Sequence, residues 1–150
     1  MTIYIGADHG GFALKEKLKA ALKDEAYDVM DMGAATRVED DDYPDYATAV
    51  AKKIQEDPLN ARGIVICRSG FGVDIVANKY DGVRAALATS PEHAYQGRHD
   101  DDVNVLALAA DFIDEETAIK AAKVFLITPF AKEDKYSRRL EKIVKIEANN

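Results

Sequence analysis

Gly63-Ile64-Val65-Ile66-Cys67 runs without a break into Arg68-Ser69-Gly70-Phe71-Gly72-Val73-Asp74. The first five residues are the most continuously apolar, β-branched run in the chain. They predict a strand over Gly63 to Cys67 that is covered on both faces. A strand buried on both sides lies near the centre of a sheet, and sheets that bury both faces are parallel ones flanked by helices. The residues that follow end the strand in a Gly-x-Gly turn and open a short helix over Val73 to Lys79.

Working outward, strand-like and helix-like segments alternate on both sides of this run. Upstream, Ile3 to Ala7 reads as a strand and Lys15 to Lys23 as a helix, with Leu14, Leu18, Ala21 and Leu22 on one face. Tyr27 to Met32 is a second strand, and Ala47, Val50, Ala51 and Ile54 stripe a second helix after the turn Asp42-Tyr43-Pro44-Asp45. Downstream, Arg84 to Ala88 is a strand and Ser90-Pro91-Glu92 opens a helix with a serine cap. Asn104 to Ala109 is the fifth strand, and helices follow near Glu115 to Ile127 and Lys132 to Glu147. This alternation predicts an α/β fold: a three-layer, doubly wound (Rossmann-like) five-stranded parallel sheet with helices on both faces and an extended C-terminal helix. With no linker, repeat or low-complexity segment, residues 1–150 read as one domain. Sheets of this kind bind ligands beyond the carboxyl ends of their strands.

Composition narrows the ligand. Across 150 residues the formal net charge is -7, which argues against a sequence-independent grip on nucleic acid. An anionic ligand must then be caught by a local group of cations, since the global field repels it. One cysteine allows no internal disulfide and suits a reducing cytoplasm. The N-terminus enters a strand directly, without a secretory pattern, and no apolar stretch approaches a membrane span.

Three strand ends and the last helix carry residues able to do chemistry. After the first strand stands Asp8-His9-Gly10-Gly11-Phe12, where Asp8 is either a turn residue or an acceptor for a hydroxyl. His9 is either an exposed loop residue or a donor to an anion. After the central strand, the turn Ser69-Gly70-Phe71-Gly72 presents backbone N–H groups that form an anion hole. It lacks the lysine of a phosphate loop and the third glycine of a dinucleotide fingerprint, so no nucleotide is implied. Cys67 at the mouth of that hole, beside Arg68, is either a small buried apolar residue or a thiolate acting as nucleophile or base. The stretches Arg98-His99-Asp100-Asp101-Asp102 and Glu39-Asp40-Asp41-Asp42 read as solvated acidic loops and not as metal sites, because consecutive residues seldom converge on one ion. In the last helix Lys135 and Arg139 share a face, as a phosphate clamp or as ordinary surface charge.

Together these segments resemble a known family. Gly6-Ala7-Asp8-His9-Gly10-Gly11-Phe12-Ala13-Leu14-Lys15, Asp42-Tyr43-Pro44-Asp45-Tyr46-Ala47, Cys67 with Ser69-Gly70-Phe71-Gly72, Ala77-Asn78-Lys79, Gly82-Val83-Arg84-Ala85 and Asn104-Val105-Leu106-Ala107 are similar to type B ribose-5-phosphate isomerases and their allose- and galactose-6-phosphate relatives. The resemblance implies a cofactor-free, metal-free interconversion of aldose and ketose phosphates through an enediolate. It implies ribose 5-phosphate as the substrate, or else a non-catalytic sugar-phosphate-binding role or a place as partner subunit of a hexose-phosphate isomerase. By resemblance Cys67 is the base, and Ser69 relays protons or hydrogen-bonds sugar oxygens. The amides of Gly70, Phe71 and Gly72 hold the enediolate, and Tyr43 borders the substrate. Asp8 binds hydroxyls, and His9, Lys135 and Arg139 meet the phosphate. The family's site lies between subunits, which implies a homodimer or homotetramer.

The chain departs from that pattern at three places. The family's ring-opening histidine falls at Asp100, with His99 one residue early, and the asparagine after it falls at Asp101. A basic residue carried after the fifth strand is Asp111 here, and Lys135 replaces an arginine. Ring opening then belongs to Asp100 as a carboxylate base or to His99 after a one-residue shift, unless the substrate differs.

Overall fold

The computed structural model describes residues 1–149. The chain order is β1 (Thr2–Ala7), α1 (Phe12–Asp24), β2 (Asp28–Asp31), α2 (Tyr43–Glu56), β3 (Arg62–Cys67), α3 (Phe71–Ala77), β4 (Ala85–Leu87), α4 (Pro91–Asp101), β5 (Val105–Ala109), α5 (Glu115–Ile127) and α6 (Asp134–Glu147). All strand pairs are parallel, in the order β2-β1-β3-β5-β4. The expected central strand is the middle one. Ile64 and Ile66 pack with α1, α4 and α5, while Val65 and Cys67 pack with α2 and α3. A strand apolar at every position is required here because both sides are covered.

Register decides what meets at the carboxyl end. Ala7 of β1 pairs with Ile66 of β3, and Cys67 of β3 with Ala109 of β5. The ladder runs on past the strands: Ala110 N–H donates to Cys67 O at 2.9 Å and Asp111 N–H to Arg68 O at 3.0 Å. The loops after β1, β3 and β5 therefore leave the sheet side by side. The chain reverses its winding between β1 and β3, where a doubly wound sheet opens a crevice.

Local chemistry sets the element ends. Ser90 Oγ accepts from His93 N–H at 3.2 Å and starts α4, with Pro91 in its first turn. Asp114 Oδ1 does the same for α5 through Thr117 N–H at 2.8 Å. The helix expected to end before a loop at residues 98–102 instead runs to Asp101, so the acidic stretch forms its last turn. Asp102 is not solvated either. It caps α4 at φ 52° and pairs with Arg84 and Arg98, each at 2.7 Å. Arg98 is 3% exposed, and a guanidinium that deep needs a carboxylate partner. In contrast to every other long helix, α6 buries no residue. No helix among the described residues is long and apolar enough to cross a membrane.

Candidate active site

Gly70 has φ 76°, the left-handed region that glycine reaches without strain. That turn folds the chain back, and Gly70 N–H donates to Cys67 Sγ at 3.2 Å. Cys67 is the last residue of β3 and is 5% exposed, so its sulfur is held in one direction at the base of the crevice. The helix that follows starts at Phe71, two residues before the start expected from sequence, because the Gly70 turn already supplies the first helical carbonyl: Asp74 N–H donates to Gly70 O. Phe71, Gly72 and Val73 thus form a first turn whose N–H groups have no partner within the helix. Ser69 is partly buried in the same turn, and the Phe71 ring is exposed.

Tyr43, the first residue of α2, lies against this turn. A Cβ placed on Gly72 would stand 2.6 Å from the Tyr43 ring, so the two are in direct contact. On the β1 side, Asp8 is buried and its Oδ1 accepts from Gly11 N–H at 3.0 Å. Gly11 passes so close over β3 that a Cβ there would meet Ile66 O at 2.7 Å. This close approach brings Asp8 and His9 beside the Cys67 turn. Arg68 crosses from the β3 side, with its Cγ 2.5 Å from where a Gly10 Cβ would be. Its guanidinium faces Asp111, in the loop after β5, at 3.7 Å.

The acidic stretch 39–42 is a correction to the sequence reading. Asp41 turns inward to 9% side-chain exposure, and its Oδ1 accepts from His9 N–H at 2.8 Å and bonds His9 Nδ1 at 2.7 Å. The hydrogen bond to Asp41 raises the His9 pKa, and the charges of Asp8 and Asp41 add to it, against burial and Arg68. Burial works against ionisation of Asp41, but donors from His9 and Tyr46 outweigh it and hold its carboxyl below the usual range. Asp8, His9 and Asp41 each bring a metal-capable atom within 4.8 Å of the others, and His9 Nδ1 bonds Asp41 Oδ1.

The remaining residues form a second cluster, away from Cys67. His99, Asp100 and Asp101 lie at the C-terminal end of α4, which returns to the start of β5 and so to the amino end of the sheet. His99 stacks on Tyr95 with ring centroids 5.0 Å apart and meets Tyr136 of α6 edge-on at 5.8 Å. Its Nδ1 bonds Asp100 Oδ1 at 2.7 Å, and this bond pulls the Asp100 pKa down, with help from Tyr136 and Lys135. Lys135 and Arg139 both lie over the Tyr136 ring, 4.4 and 6.0 Å from its centroid. Within one chain, then, Cys67, Ser69, Gly70, Phe71, Gly72, Tyr43, Asp8 and His9 come together. His99, Asp100, Asp101, Lys135 and Arg139 make a separate group.

Residues 3–143 match the profile of the family described as Ribose/Galactose Isomerase. The ribose-5-phosphate isomerase B of Mycobacterium tuberculosis is 33% identical over 98% of this chain and 90% of its own. The solved ribose-5-phosphate isomerase B of Mycoplasma genitalium, with bound ribulose-5-phosphate, superposes with a TM-score of 0.96. It is 37% identical, over 99% of this chain and 97% of that one. The type B ribose 5-phosphate isomerase of Trypanosoma cruzi superposes with a TM-score of 0.93 at 34% identity, over the full length of both chains.

Proposed function

This chain belongs to the Ribose/Galactose Isomerase family, and from that membership we propose that it interconverts ribose 5-phosphate and ribulose 5-phosphate with Cys67 as the base. The observation that carries the assignment of the base is the Gly70 N–H on Cys67 Sγ at the end of the central strand, in a chain that matches isomerases from end to end.

The chemistry required is modest in parts and exacting in position. The Cys67 thiolate takes the proton from C2 of the open aldose. The C2–H electrons form the C1–C2 double bond, and the former carbonyl oxygen becomes the enediolate oxygen. The thiol then returns the proton to C1, and O2 becomes the ketose carbonyl as its own proton is released. Ser69 sits next to the base and carries protons between O1 and O2. With Gly70 N–H committed to sulfur, the N–H groups of Phe71 and Gly72 are left to hold the developing oxyanion. Asp8 keeps Oδ1 on Gly11 and offers Oδ2 to a sugar hydroxyl, beside the Tyr43 ring. His9 Nε2 faces the phosphate end.

Ring opening and the phosphate clamp fall to the second cluster, supplied by a second copy of the chain in a homodimer or a pair of dimers. Support for a second copy is that the clusters stand at opposite ends of one sheet, and that Ile143, Val144 and Ile146 of α6 are exposed. In that cluster Asp100 is kept ionised on His99 Nδ1, which leaves His99 Nε2 as the nitrogen to move the ring proton. A cytoplasmic place suits a lone free thiol that must stay reduced.

The test is an assay of purified protein against ribose 5-phosphate, allose 6-phosphate and galactose 6-phosphate. The reading predicts turnover of ribose 5-phosphate above the other two. Preference for a hexose phosphate would overturn the substrate, and no turnover of any would overturn the isomerase reading in favour of a binding role.

A further inference from the structure

Nothing in the isomerase chemistry above calls on Asp41, a residue whose sequence context marks it as one of four solvated acids. Its setting is otherwise. Asp40, just before it, has φ 60°, and that left-handed step turns the chain so that the next side chain points back toward the sheet. Asp41 there accepts from the backbone of His9 and bonds its ring. The loop that carries it is tied down at its other end, where the fully buried Lys15 donates to Ala34 O at 3.0 Å and to Asp31 at 2.6 Å.

We infer that Asp41 is the positioning residue for His9: it fixes the ring with Nδ1–H toward its own carboxylate and leaves Nε2–H as a donor to the anionic end of the substrate. The function ascribed to Nε2 rests on the isomerase reading; the Asp41–His9 pairing does not. The groups around the ring are few. Asp41 and Asp8 favour the imidazolium, Arg68 opposes it, and Tyr46 reaches His9 only through Asp41. The acid nearest to Arg68 is Asp111, which turns part of that cation's charge away. A doubly protonated His9 is a cation in a chain of net charge -7, where a phosphate needs one.

Three measurements test this. In the first, NMR follows the His9 ring through a pH titration of wild type, Asp41→Asn and Asp41→Glu, with His9→Asn used to assign the signal among the three histidines. Asparagine keeps the acceptor shape and loses the charge. The His9 midpoint is expected about one pH unit lower in Asp41→Asn and back near wild type in Asp41→Glu. Equal midpoints in wild type and Asp41→Asn would overturn the proposal. In the second, the ring nitrogens of wild type above the midpoint report the neutral tautomer. Nδ1–H is expected, and Nε2–H would overturn the proposal even if the variants do not fold. In kinetics, the KM for ribose 5-phosphate should begin to rise at a lower pH in Asp41→Asn than in wild type. An inactive wild type with the expected titration would sink the isomerase reading and leave the Asp41–His9 pairing standing.

Discussion

A thiol can take a proton from carbon only if it is aimed at that carbon and shielded from competing partners. In the role proposed for Cys67, one residue holds the sulfur in place: Gly70, at φ 76°, turns its N–H onto it. Removing the sulfur should therefore touch the chemical step and little else. Cys67→Ala is expected to lower kcat by about a hundredfold or more while KM stays within a few-fold, because general-base contributions are typically ~10²–10⁴. Steady-state kinetics with ribose 5-phosphate checks this, and an unchanged kcat would remove Cys67 from the role. At this scale spacing made the Gly70-Phe71-Gly72 turn after the central strand readable, while the role of Cys67 came from the family resemblance and not from its position. The sequence was opaque where backbone conformation chooses among like residues. Glu39, Asp40, Asp41 and Asp42 are one charge run in the sequence. Only the positive φ at Asp40, a property of the folded loop, sends Asp41 to His9 and leaves the others in solvent.

Among elements, the join of α1 to β2 holds the most consequential buried charge. The Lys15 side chain is fully buried and lies 2.6 Å from Asp31, which also takes Lys19 and the N–H of Gly33. Burial opposes the charge on Asp31, but these donors prevail and depress its pKa. A depressed carboxylate contributes stability that is complete above its unfolded value, near 3.9, and is lost as pH falls through the folded value. Lys15→Met is expected to cost about 1–3 kcal/mol, since Asp31 loses a buried charged donor but keeps Lys19 and the Gly33 N–H. Urea unfolding at neutral pH measures that cost, and the gap to wild type should shrink in acid, where Asp31 is protonated. A cost below about 1 kcal/mol would show that the pair is dispensable. The elements themselves were legible from periodicity, and α5 has the bounds its pattern predicts. The strand order was not: β4 lies at the edge and β5 inside it, an outcome set by packing between segments and invisible in either segment alone. For the same reason the end of α4 was missed. A run of acids lowers helix propensity, yet the pairing of Asp102 with Arg84 and buried Arg98 carries the helix through to Asp101.

The whole molecule carries two separate clusters on one chain, read above as the two halves of a site. The Cys67 turn, Asp8, His9 and Tyr43 stand at the carboxyl end of the sheet, while His99, Asp100, Lys135 and Arg139 gather where α4 and α6 meet. On that reading, an isolated chain with a formal charge of -7 and its proposed clamp at the far end would hold a phosphorylated sugar poorly. In the dimer proposed above, two copies facing each other would bring each base to the other's clamp. Each half-site then fails alone and is rescued by a partner that carries the opposite defect. The most direct measurement mixes Cys67→Ala and Arg139→Ala chains after dissociation and reassociation, at ribose 5-phosphate well below KM. Half of randomly paired dimers carry one change on each chain, and each of those has one intact site of two. The account predicts that the mixture recovers about a quarter of wild-type activity. A mixture no more active than the average of the two variants alone would contradict it.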